Sequence, residues 1–170
     1  MAKVLLISEQ YIKTNSIINN NVDGMYLCPA IETAQDMGLQ PLIGTKLYNK
    51  IMDLVEDSSI SGATDYKLLL DEYILPYLLN KVTADIQLPL SFKMRNQGVI
   101  QQTGENTYIP SMKDVQYMVQ HYQNQADFYG NRMTDYLRAN RSKYPEYCSI
   151  DSCADMPSNG GAYNTGIYLG

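Results

Sequence analysis

Few residues in this chain have the type and spacing to do chemistry. Its single histidine, His121, lies among Gln120, Tyr122 and Gln123. It falls outside the apolar seam of its helix, so a surface or interface position is a plainer reading than a general base. The three cysteines, Cys28, Cys148 and Cys153, are too few and too scattered for a disulfide framework. They read as free thiols of a reducing compartment, and they and His121 are too scattered along the chain to read as a zinc set. Glu32 and Asp36 stand at i and i+4 and share a helix face. A cation there would lack a third ligand, and a solvated face accounts for the pair. Asp71 and Glu72 are neighbours in sequence that point in different directions. Arg132, Arg138, Arg141 and Lys143 make the end of the last helix basic, which suits the helix dipole better than it suits DNA. No GxGxxG, Walker loop, GxSxG, HExxH or CxxC is present. The expectation is therefore no catalytic residue, no metal, no cofactor and no enzyme.

The composition bounds what is left. The 170 residues suit one domain with a real core, and 45% hydrophobic against 18% charged residues favours a folded chain over a disordered one. A net charge of −5 does not invite nucleic acid or an anionic membrane. All 13 Lys and Arg lie at or before Lys143, and beyond it the only charges are Glu146, Asp151 and Asp155. Tyrosine is used 15 times against 2 Phe and no Trp. Its large apolar face with a wettable hydroxyl suits half-buried core edges and protein interfaces. "MAKVLLISEQYIKT" has a short apolar run but neither an h-region of proper length nor a cleavage site, so it does not read as a signal peptide. No stretch reaches the ~20 apolar residues that span a bilayer.

The elements that must position any site follow from punctuation and periodicity. Residues 1–22 read as a short extended or irregular arm, with Asn-rich turn residues at 19–21. Asp23 or Cys28 is a candidate cap for the first helix, with Pro29 in its first turn. Gly38 is expected to end that helix, and "LQPLIG" to make about one turn before Gly44. Thr45 is then the expected N-cap of "KLYNKIMDLVED", where Leu47, Ile51 and Leu54 or Val55 recur at helical spacing. The result is a helix–corner–helix, with Leu42 and Ile43 plugging the corner. After the turn-forming "DSSISGATD", residues 64 to about 88 form a central apolar helix, bent at Pro76 and stopped by Pro89. Val99 and Ile100 on one side of "TGEN", with Tyr108 and Ile109 on the other, suggest a small hairpin turning at "GEN". Ser111 with Asp114 starts the last helix as a capping box. Val115, Val119, Tyr122, Ala126, Tyr129, Met133 and Tyr136 then form a heptad seam that predicts bundle packing, running close to Tyr144. From Pro145 the chain is rich in Gly, Ser and Asn and cannot bury enough of itself to fold alone. Its end carries Tyr163, Ile167, Tyr168 and Leu169, suited to docking on a neighbour. The fold class expected is mainly α: a helical bundle with a long C-terminal helix, a small β-hairpin insertion at about 92–109 and an extended C-terminal tail. The divisions are an arm at 1–22, a helical domain at 23–144 and the tail at 145–170.

Taken in order, "IETAQDMGLQPLIGTKLYNKI", "LLLDEYILPYLLNKVTADI", "FKMRNQGV" and "YLRANRSKYPEY" resemble the head–tail connector (adaptor, or head-completion) proteins of tailed bacteriophages, and among them the ring proteins of crAss-like phages. The likeness spans roughly residues 5–147. It rests mainly on the corner, written I-x-x-A-Q-x-x-x-L-x-P-L-I/L-G-x-x-L-Y, which here places Ala34, Gln35, Pro41, Leu42, Gly44, Leu47 and Tyr48. The resemblance implies a structural virion protein at the head–tail interface, assembled in the host cytoplasm. Such subunits form a homo-oligomeric ring of about twelve copies under the portal protein. The ring extends the DNA channel toward a tail or second ring protein, with double-stranded DNA passing through and no specific binding. It implies no catalytic residues. Tyr108 and Ile109 of the hairpin, with Tyr163, Ile167, Tyr168 and Leu169 of the tail, are the expected interface residues. The reading from another class is a cellular helical adaptor or regulatory module that binds one protein partner.

Overall fold

The apolar residues that recur at helical spacing do form helices, and their buried faces meet in one core. The computed structural model describes residues 4–95, 98–101, 111–148 and 156–158. The described chain is mainly α. Helix α1 (Glu9–Asn15) is capped by Ser8, which accepts from the Tyr11 N–H, and α2 (Gly24–Thr33) is capped by Asp23, which accepts from the Met25 N–H. The helix of α2 continues through a π-helical segment, Ala34–Leu39, into α3 (Gln40–Ile43). Helix α4 (Thr45–Glu56) follows directly after Gly44. Helix α5 (Thr64–Leu69) passes through a second π-helical segment, Leu70–Ile74, into α6 (Leu75–Ser91). Strands β1 (Phe92–Arg95) and β2 (Gly98–Gln101) pair antiparallel, and α7 (Met112–Ala139) is the longest element.

Helix α6 is the centre of the bundle, packed along α7 and against α2 and the first π segment. Leu69, Ile74, Leu78, Val82 and Ile86 on the α5–α6 rod are fully buried, facing Leu27, Ile31, Leu39, Ile43, Leu47 and Ile51. Each such side chain contributes about 1.5–3 kcal/mol by leaving water. The second half of the α7 seam faces this core as the heptad spacing predicted, with Ala126 and Met133 in it and Tyr129 and Tyr136 packed against it. Val115 is buried and Val119 and Tyr122 half-buried outside that cluster. Gly130, Thr134 and Leu137 are also buried.

Several local expectations are corrected. Gly38 does not end the helix, because the chain widens into the π segment and runs on to Ile43. Pro29 sits in the second turn of α2 rather than its first, and Pro89 lies inside α6, which ends at Ser91. One missing N–H in a helix otherwise held by packing is not enough to break it. Where a bend was expected at Pro76, the chain has a second π turn just before it. In both π segments the last wide bond belongs to the residue just before a proline: Gln40 N–H donates to the Gln35 carbonyl ahead of Pro41, and Leu75 N–H to Leu70 ahead of Pro76. A proline ring crowds the carbonyl four residues back, and widening the turn relieves it. Helix α7 stops at Ala139 rather than near Tyr144, with Asn140 bonding the Tyr136 carbonyl through both its N–H and its Nδ2.

Of the hairpin expected from Val99 and Ile100 across Gly104–Asn106, the turn and the second strand lie outside the described residues, and the pairing described is that of β2 with β1. Ile100 pairs with Lys93 and Val99 with Met94, so β2 closes on the strand just before it. Tyr108 and Ile109 lie outside the described residues. The arm at 1–22 contains α1, and its Leu6, Ile7, Ile12 and Ile18 are part of the core. Pro145–Cys148 form a 3-10 turn against α4 rather than extended chain, with Tyr147 buried.

Candidate functional site

The corner between α3 and α4 is the most elaborately built feature of the described chain. Gly44 has φ 81° and ψ 152°, a conformation that residues with a Cβ rarely adopt, and it lets α4 start immediately after α3. Gly44, not Thr45, is the N-cap position. Ala34 and Leu47 are fully buried, Tyr48 nearly so, and Pro41 and Leu42 half-buried. Of the seven corner residues picked out by the sequence, Gln35 bonds Tyr48, and Ala34, Leu47 and Tyr48 belong to the core with Leu42 packed against it.

Gln35 is the polar centre of that group and is fully buried. Its Oε1 accepts from the Leu6 N–H at 2.8 Å, and its Nε2 donates to the Val4 carbonyl at 3.2 Å and the Tyr48 hydroxyl at 3.4 Å. Tyr48 in turn donates to Asp36 Oδ1 at 3.1 Å. The glutamine amide satisfies the backbone of residues 4–6 as a neighbouring strand would, which ties the arm to the corner. Because a buried polar group without partners is costly, this network fixes where the arm lies.

On the other side, residues 156–158 return to the corner. Thr45 N–H donates to the Met156 carbonyl at 2.9 Å, Met156 N–H donates to Thr45 Oγ1 at 3.0 Å, and Ser158 Oγ donates to the Tyr147 carbonyl at 3.1 Å. The start of the predicted tail therefore packs on its own subunit, while Tyr163, Ile167, Tyr168 and Leu169 lie outside the described residues.

Between the first π segment and α7 lies an open cleft of 450 Å³, with Met37, Pro41 and Leu42 on one wall, Gln123 and Asp127 on the other and Tyr77 beneath. Two glycines beside it leave little room for a side chain. A Cβ on Gly38 would come within 2.7 Å of the Tyr77 hydroxyl, and one on Gly130 within 3.3 Å of both Leu42 and the Tyr77 ring. Burial is the main cause that pushes the Tyr77 hydroxyl well above the usual phenol range, with Asp127 and Asp85 adding to it.

A tyrosine cluster was not legible in the sequence. Tyr66 donates to Glu146 at 2.8 Å, Tyr144 donates to the Asp65 carbonyl at 2.8 Å, and the Tyr136 and Tyr144 hydroxyls lie 3.2 Å apart. Tyr73 stacks on Tyr136 at 4.2 Å with Arg132 over its ring at 4.9 Å. Partners about 80 positions apart leave no periodic signal, so only the local Tyr excess hinted at them. Burial first, then the Glu146 bond, pushes Tyr66 up to about 12.

Among the described residues the candidate chemical groups remain apart, and Cys153 lies outside them. His121 is exposed, with Nε2 3.0 Å from Gln125 Nε2. Asp36 serves Tyr48, and Cys28 donates to Glu9 Oε1 at 3.1 Å, a contact that raises its thiol pKa. Lys143 pairs with Asp65 at 3.0 Å. Among the described residues no three His, Cys, Asp or Glu stand close enough to hold a metal ion, and no helix is long and apolar enough to cross a membrane. Large apolar side chains do face outward, with Met37 76%, Tyr117 77% and Phe128 64% exposed.

These features define a mainly α protein organised around a braced helical joint. The chain belongs to the Family of unknown function (DUF6712), which it matches over residues 39–156. No curated protein and no solved structure matches it.

Proposed function

We propose that this chain is a structural virion protein of a tailed bacteriophage, a head–tail connector ring subunit that docks under the portal and extends the DNA channel toward the tail. The observation that carries the reading is the corner. Its buried groups, Gln35, Tyr48 and Gly44, set an angle between helices and hold it. A subunit that tiles around a ring needs a fixed wedge angle, and the residues that resemble phage connectors are the ones that build it. Exposed Met37, Tyr117 and Phe128 supply side chains for lateral contacts. The net charge of −5 suits a channel through which DNA passes without being held.

Electron microscopy of the chain mixed with its cognate portal ring tests this. The expected image is a ring of added density, with the portal's symmetry, on its tail-facing side. A chain that leaves the portal bare and instead binds a single cellular protein as a monomer or dimer is an adaptor, and the connector reading then fails.

A further inference from the structure

The N-terminus of α4 has no side-chain cap of its own. Gly44 has no side chain to offer, and Thr45 Oγ1 accepts instead from Gln40 Nε2 and from the Met156 N–H, both at 3.0 Å. The Thr45 N–H, one of the helix-end donors that must find a partner outside the helix, goes to the Met156 carbonyl at 2.9 Å. Met156 thus exchanges two bonds with one residue at a helix start, its carbonyl accepting from the Thr45 backbone and its N–H donating to the Thr45 side chain. Pro157 has no N–H to leave unpaired. At Ser158 the backbone fills the place where a side chain of residue 44 would stand: a Cβ there would lie 2.8 Å from Ser158 N and 3.2 Å from its Cα. The Ser158 hydroxyl then fastens to the Tyr147 carbonyl on the turn packed against α4.

We infer that the corner is a seat for an extended peptide segment and that Met156–Ser158 is the segment it holds, a strap that caps α4 and fixes the α3–α4 angle. Gly44 serves the seat twice, by its turn and by leaving room for backbone. The consequence is mechanical. Whatever draws on the chain beyond Ser158 acts on the corner through the strap. This inference does not rest on the connector reading, and a failure of either leaves the other standing.

Amide hydrogen exchange on the full-length chain reads the strap at residues 45–48. Met156→Pro removes the N–H that reaches Thr45, and Thr45→Val removes the oxygen that receives it with little change of shape. Each should speed exchange at the corner by about tenfold or more while Leu78 in α6 and Met133 in α7 keep their protection. A synthetic peptide of sequence Ala-Asp-Met-Pro-Ser-Asn-Gly, added to the Met156→Pro chain, should restore slow exchange at Thr45. Unchanged exchange at residue 45 in both variants overturns the strap, as does uniform acceleration across all helices. Acceleration that the peptide does not reverse overturns the seat.

Discussion

Gln35 lies inside the protein with both ends of its amide answered, by the Leu6 N–H on one side and the Val4 carbonyl and Tyr48 hydroxyl on the other. Gln35→Leu keeps the bulk and strands the Leu6 N–H in the core. The expected loss is about 1–3 kcal/mol, the desolvation penalty of a buried unpaired group, read from a urea midpoint. Gly44→Val combines a strained φ with a collision against Ser158, whereas a Cβ on Gly62 meets nothing. Gly44→Val should therefore cut soluble yield sharply and Gly62→Val leave it near wild type. Equal yields would remove the corner's special status. Tyr66 titrates near 12 in the fold against about 10 when free. Between those values the unfolded chain has released this proton and the folded chain still holds it, so stability falls as pH rises through that window. Melting temperature should drop from pH 10 to 12, and Tyr66→Phe should soften the drop.

At the scale of elements, α7 depends on its cap more than α6 does. Ser111 accepts from the Asp114 N–H at 3.3 Å and Asp114 Oδ2 accepts from the Ser111 N–H at 2.9 Å. Most of the following three turns face water, with Val115 their buried contact. Ser111→Ala should cost about 1 kcal/mol and show as fraying of residues 112–118 in exchange, with residues 126–137 unmoved. The two π segments are the other element-level feature. Each ends against an X–Pro step, so the widened turn lets a helix carry proline through its middle instead of stopping.

For the molecule as a whole, the tyrosine cluster closes the bundle, joining the start of α5 to the residues after α7 through Tyr66, Asp65, Tyr144 and Glu146. Self-assembly, if the proposed function holds, must use what that closed body leaves outside. Phe128→Glu and Tyr117→Glu touch exposed side chains and should leave stability within about 0.5 kcal/mol of wild type. On a ring subunit they should nonetheless weaken assembly on the portal, visible as lost density by electron microscopy. Undiminished rings would place the lateral contacts on another face.

Sequence alone determined the mainly α class, the capping box at Ser111 and the α7 seam, because helix caps and 3.6-residue periodicity act over short distances. It misjudged the end of the helix at Gly38, the stop at Pro89 and the N-cap of α4. Local punctuation gives only a preference, and packing along α6 overrides it. Gln35 was legible as part of a pattern but not as the partner of Leu6, 29 residues away. The return of Met156 to Thr45 spans 111 residues, and the Tyr144 bond to Asp65 spans 79. No period or spacing encodes such contacts. They exist only once the chain has folded and buried polar groups must find partners among whatever the tertiary structure has brought near.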